Sequence, residues 1–95
     1  MATLSDGEIR AALDALPGWE HCESAITRQY RLDGFAGAIA FVVRLSYAAE
    51  AADHHPDLDI RYDRVRITLS THSEGGVTAK DLALAKAIER FAPAQ

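Results

Sequence analysis

Residues 63–81 read DRVRITLSTHSEGGVTAKD, and this stretch decides the fold. Asp63-Arg64 makes a tight reversal. Val65, Ile67, Leu69 and Thr71 then alternate with Arg66, Thr68, Ser70 and His72, the period-two pattern of a half-buried strand. That parity puts His72 at the strand's end, facing away from a helix-packed core or lying at its rim. Ser73-Glu74-Gly75-Gly76 reads as a flexible loop. Thr78 stands three residues before Asp81, the spacing of an N-terminal capping pair. Leu82, Ala85, Ile88 and Phe91 carry the helix that follows to near Pro93.

Upstream, Ile60 and Tyr62 predict a short partner strand, and Pro56 forbids a helix through it. The preceding helix opens at Asp33-Gly34, with Asp33 as N-cap. Phe35, Ala38, Ile39, Val42 and Leu45 recur at helical spacing, and Phe41, Val43 and Tyr47 widen the apolar face. Such a face predicts a central helix covered on more than one side, running to about Asp53 or His54. Before it, Ile26, Tyr30 and Leu32 share one parity, interrupted by Arg28, and predict a strand. Trp19 to Cys22 predicts its hairpin partner, turning near Glu23-Ser24. Ser5-Asp6-Gly7-Glu8 has capping-box spacing and opens a first helix from about Asp6 to Leu16, stopped by Pro17-Gly18. The order α-β-β-α-β-β-α favours an α+β, two-layer fold: a four-stranded antiparallel sheet with helices on one face.

Composition narrows the function classes. Ten Lys and Arg against fourteen Asp and Glu leave a formal charge of 10 − 14 = −4 over 95 residues. A length of 95 fits one domain over residues 1–95. At 48% apolar and 25% charged, the chain falls in the globular range. A pI near 5.4 argues against non-specific nucleic-acid binding. No segment reads as approaching the ~20 apolar residues of a membrane span, and the N-terminus lacks the pattern of a signal peptide. Cys22 is the only cysteine, so disulfide frameworks and thiolate zinc cages are excluded. These features predict a cytoplasmic protein.

Three of four histidines, His54, His55 and His72, fall at element ends. Glu50 lies four residues before His54, hence on the same helical face, where a carboxylate and the helix C-terminus both favour the imidazolium. A charged imidazole can deliver a proton to a leaving group. The same spacing also fits a surface pair. His55 precedes Pro56, so its backbone is extended and suited to positioning a substrate. Asp81 fits a first-turn cap, and its carboxylate can also point toward His72. His21 and Cys22 read as structural. Trp19 reads as core, with stacking on a flat ligand as the alternative. Adjacent His54 and His55 point in different directions and rarely share a metal ion. His54, His72 and a carboxylate could still form an open site. Neither a Gly-x-Gly-x-x-Gly fingerprint nor a phosphate loop occurs.

Glu50-x-x-x-His54-His55-Pro56, then Tyr62, Thr71-His72 and Gly76-x-Thr78-x-x-Asp81 together resemble the pterin-4a-carbinolamine dehydratases. The resemblance runs from about Pro17 to Phe91 and includes Gly18-Trp19 and Arg28-x-Tyr30. Asp63, Val77 and Leu32 depart from the usual Asn, Leu and aromatic residue. Residues Met1 to Leu16 carry little of the signal.

The resemblance implies a dehydratase, a hydro-lyase that converts a 4a-hydroxytetrahydropterin to quinonoid dihydropterin plus water in tetrahydrobiopterin recycling. It implies the same α-β-β-α-β-β-α fold, no metal, no organic cofactor and a homodimer or homotetramer. An aromatic amino-acid hydroxylase would be its pathway partner, with no direct nucleic-acid or membrane contact. By the same resemblance His54 and His72 are the acid/base pair, while His55 mainly binds the pterin, alongside Thr71, His72 and Trp19. Glu50 would tune His54, and Asp81 would support the loop bearing His72. Two other classes stay open: an interaction module using the apolar face of Phe35 to Tyr47, and a metal-dependent hydratase.

Overall fold

The computed structural model describes residues 2–95. The strands β1 (Glu20–Cys22), β2 (Ala25–Arg31), β3 (Asp57–Arg61) and β4 (Arg64–Leu69) form one antiparallel sheet in the order β1-β2-β4-β3. Helices α1 (Asp6–Leu13), α2 (Gly34–Ala52) and α3 (Ala79–Phe91) complete an α+β fold. β2 and β4 are central, and their registers align Ile26 with Leu69 and Tyr30 with Val65. Those four side chains and Ile67 are fully buried, as the period-two pattern requires.

Helix α1 is shorter than its apolar spacing suggests. After Leu13 the backbone tightens: Ala15 N–H donates to the Ala12 carbonyl and Leu16 N–H to that of Leu13. These i to i+3 bonds end the α-helix while leaving Leu16 on the core. Its capping box forms as expected, with Ser5 and Glu8 bonded reciprocally. Asp33 precedes α2 but makes no side-chain cap. Cys22 is exposed rather than packed.

The interruption at Arg28 has a physical cause. Arg28 sits on the buried parity of β2, and its Nη1 donates to Glu89 Oε1 of α3 at 2.7 Å and to the Pro17 carbonyl. Trp19 Nε1 donates to the same oxygen at 3.0 Å, and so does the Tyr30 hydroxyl. The guanidinium also lies 4.6 Å from the Tyr30 ring centroid. One half-buried carboxylate thereby satisfies three donors that would otherwise be costly at the core's edge. Gly18 must be glycine here: its φ is +88°, and a Cβ would meet the Arg28 guanidinium at 2.6 Å.

Helix α2 buries Ala38, Phe41, Leu45 and Ala49. The opposite side leaves Phe35, Ile39, Val43 and Tyr47 exposed, so the expected cover on more than one side is absent among the described residues. By length and composition α2 is long and apolar enough to cross a bilayer, with 19 residues at mean hydropathy 1.4. That corrects the reading that no segment approaches a span. Its alanines raise the average, while its larger buried residues pack inside this fold.

Burial and the Glu89 bond push the Tyr30 phenol well above its ordinary value of 10.0. The folded state therefore favours the neutral phenol. This stabilisation is complete below pH 10 and is lost as pH rises above it, where the unfolded chain ionises first. Chemical denaturation from pH 8 to 11.5 should show stability falling in the wild type. Tyr30→Phe should be less stable at pH 8, by about 1.5–3 kcal/mol for a lost bond to a charged group, and should show a shallower alkaline slope. Equal slopes would contradict this account.

Candidate active site

The site is built where three chain reversals meet. The first ends α2. Asp53 adopts the left-handed conformation, φ 49°, and its N–H donates to the Glu50 carbonyl while the His54 N–H donates to that of Ala49. This pair of bonds is a Schellman cap, and Asp is among the non-glycine residues that tolerate it. His54 is consequently the second residue past the helix rather than part of its last turn.

The second reversal follows β4. The strand ends at Leu69, short of the His72 that its alternation suggests, and Ser70 Oγ donates to the Ser24 carbonyl at 2.7 Å. Thr71 pairs backbone with Gly76 in an isolated bridge, and His72–Glu74 form one 3-10 turn between them. Gly75, at φ 75°, closes that turn by donating to Thr71 and His72 carbonyls. The expected flexible loop is thus a closed one, and His72 is an exposed residue at its start.

The third is the start of α3. Thr78 and Asp81 form the capping box expected from their spacing. The inward stripe of the helix is Asp81, Leu84, Ala85 and Ile88, with Leu82 only partly buried. Asp81 therefore heads the core-facing row and is fully buried.

These reversals assign the carboxylates differently from the sequence reading. His54 Nε2 lies 2.5 Å from Asp81 Oδ1, both buried. His55 Nε2 lies 2.9 Å from Glu50 Oε2, with both side chains more than half exposed. The left-handed Asp53 rotates His54 off the helical face it would have shared with Glu50, and His55 takes that partner instead. Exposed pairs of this kind contribute little, roughly 0–1 kcal/mol. Asp81 Oδ2 accepts from the Thr78 N–H at 2.8 Å and the Thr71 hydroxyl at 2.9 Å. Asp81 thus supports the His72 loop through Thr71, not by contact with His72.

A cleft of about 270 Å³ opens over this junction, lined by His54, His55 and His72 together with Asp53, Ser70, Thr71, Ser73 and Lys80. Lys80 sits in the first turn of α3, and no motif in the sequence singled it out. Glu50 reaches the cleft only through His55. Trp19 does not line it; the indole is buried against Tyr30, ring centroids 6.4 Å apart, and bonded to Glu89. His21 lines a separate groove with Asp6 and Glu23. Among the described residues, no three His, Cys, Asp or Glu side chains converge as a metal-binding group.

The model of the family described as pterin 4 alpha carbinolamine dehydratase matches residues 2–91. A Chloroflexus aurantiacus protein is 52% identical over 91 residues, covering 96% of this chain and 98% of the relative. One from Mycobacteroides abscessus is 51% identical over 89 residues, covering 94% and 95%. Both carry the name "Putative pterin-4-alpha-carbinolamine dehydratase". The crystal structure of a transcriptional coactivator/pterin dehydratase from Brucella melitensis superposes with TM-score 0.91 at 39% identity, covering 96% of this chain and 99% of that one. A pterin dehydratase-like RuBisCO assembly factor of the alpha-carboxysome shares the fold at TM-score 0.65 and 18% identity, over 81% of this chain and 89% of that one. With a family model spanning nearly its whole length and relatives half identical to it, this chain belongs to the pterin 4 alpha carbinolamine dehydratase family.

Proposed function

We propose that this chain is a 4a-hydroxytetrahydropterin dehydratase, producing quinonoid dihydropterin and water as a step of tetrahydrobiopterin recycling. The observation that carries this reading is the convergence of three imidazoles on one cleft, one of them held by a buried carboxylate. The reaction needs two proton movements. A proton is delivered to the 4a-hydroxyl as the C4a–O bond breaks, and the N5 proton is removed as the N5=C4a double bond forms. Water leaves and no electrons are transferred to or from the enzyme.

In this reading His54 and His72, both lining the cleft, act on the 4a-hydroxyl. His55 binds the ring system, oriented by Glu50. Thr71 contributes through the loop it closes, since its hydroxyl is committed to Asp81 and Thr78. Acid/base assistance of this kind contributes roughly 10²–10⁴-fold per group.

The chain is further proposed to act as a homo-oligomer. The support is the exposed row of Phe35, Ile39, Val43 and Tyr47, spaced four residues apart along one face of α2. Two copies of one apolar row can cover each other about a two-fold axis.

The direct test follows quinonoid dihydropterin formation from freshly generated 4a-carbinolamine in excess chelator. Acceleration should survive the chelator. His54→Ala and His72→Ala should each slow it roughly 10²-fold with unchanged folding. No acceleration by the wild type, or wild-type rates in both variants, would contradict the reading; loss to the chelator would favour a metal-dependent hydratase. For the oligomer, light scattering should give the wild type a mass above the 10.3 kDa chain and Val43→Asp a smaller one. A wild-type monomer would refute that part.

A further inference from the structure

The hydrogen bonds around Asp81 have only one consistent direction. Backbone N–H groups can only donate, so Lys80 N–H gives to Thr78 Oγ1 at 3.2 Å and Thr78 N–H gives to Asp81 Oδ2. The single Thr71 hydroxyl proton goes to Asp81 Oδ2. Thr71 Oγ1 and Thr78 Oγ1 lie 2.7 Å apart, and with the Thr71 proton already used, Thr78 must be the donor. The chain therefore runs one way, from the α3 N-terminus through two threonines into the carboxylate. A buried carboxylate that accepts from the Thr78 N–H and the Thr71 hydroxyl on Oδ2 is left with Oδ1 as an acceptor facing His54.

We propose that Asp81, with Thr71 and Thr78 as positioning residues, fixes His54 with its proton on Nε2. This makes His54 Nδ1 the nitrogen that exchanges protons in the cleft. Nε2 lies 2.5 Å from Asp81 Oδ1 and keeps its proton whether the ring is neutral or charged, so only Nδ1 changes state. His55 has no such device, because its Glu50 partner is solvent-exposed and stands alone. The inference rests on the dehydratase reading for what Nδ1 acts upon, but the tautomer itself does not depend on it.

The test reads the tautomer without substrate, by two-bond proton–nitrogen correlation spectra of the imidazoles at a pH where His54 is neutral. The wild type should show His54 protonated at Nε2, with exposed His21 as an internal reference. In Asp81→Asn the amide oxygen must still accept from Thr78 N–H and the Thr71 hydroxyl, so its NH2 group turns toward His54. That should move the proton to Nδ1 and lower kcat roughly 10²–10⁴-fold, the scale of a wrong-tautomer histidine, with a smaller change in KM. Thr71→Val should lower kcat about tenfold and Thr71→Ser should restore it. A wild-type His54 protonated at Nδ1, or a tautomer mixture, overturns the proposal even if Asp81→Asn fails to fold. An unchanged tautomer in a folded Asp81→Asn also overturns it. Absence of turnover with the expected tautomers would overturn the dehydratase reading instead.

Discussion

The buried carboxylate of Asp81 is the constraint on which the site depends. One oxygen closes the first turn of α3 and holds the loop after β4 through Thr71; the other holds His54 past the end of α2. Burying a carboxylate without partners would cost several kcal/mol. Here every buried side-chain polar atom among the described residues has a partner. Capping a helix and orienting an imidazole are thus one interaction, so the site cannot assemble unless α3 begins where it does.

The same helix supplies a second carboxylate near its other end. Glu89 accepts from Trp19, Arg28 and Tyr30, and so ties α3 to β2 and to the approach to β1. The aromatic chain from Trp19 through Tyr30 and Phe41 to Phe91 runs alongside and joins sheet to helices. The two carboxylates divide the labour. Glu89 is not among the residues lining the cleft and ties helix to sheet, whereas Asp81 bonds His54 beside the cleft. Relatives of this fold serve different ends, and the RuBisCO assembly factor among them shows that the layer architecture does not dictate the activity. What distinguishes this chain is the Asp81–His54 junction and the cleft beside it.

Much of this was legible in the sequence. Alternation from Val65 to Leu69 and the Thr78–Asp81 spacing located the central strand and the last helix, because local sterics and capping chemistry decide both. The three cleft histidines were legible as a cluster for the same reason: each sits where an element stops. What the sequence hid was tertiary. Arg28 breaks a strand pattern only until Glu89, sixty-one residues away, is brought opposite it. The pairing of His55 rather than His54 with Glu50 turns on one left-handed residue, Asp53, that helical spacing rules do not register. Trp19 could be read as a ligand platform until Tyr30 and Glu89 enclosed it, and Lys80 had no motif to mark it.

The central claim is that the cleft beside Asp81 is where a pterin binds. The most direct measurement is a titration of the isotope-labelled protein with 7,8-dihydropterin, a stable ring analogue, following the four imidazoles. The account predicts that the resonances of His54, His55 and His72 shift together along one binding curve while those of His21 stay in place. Shifts confined to His21, or none at any of the three cleft histidines at saturating ligand, would contradict it.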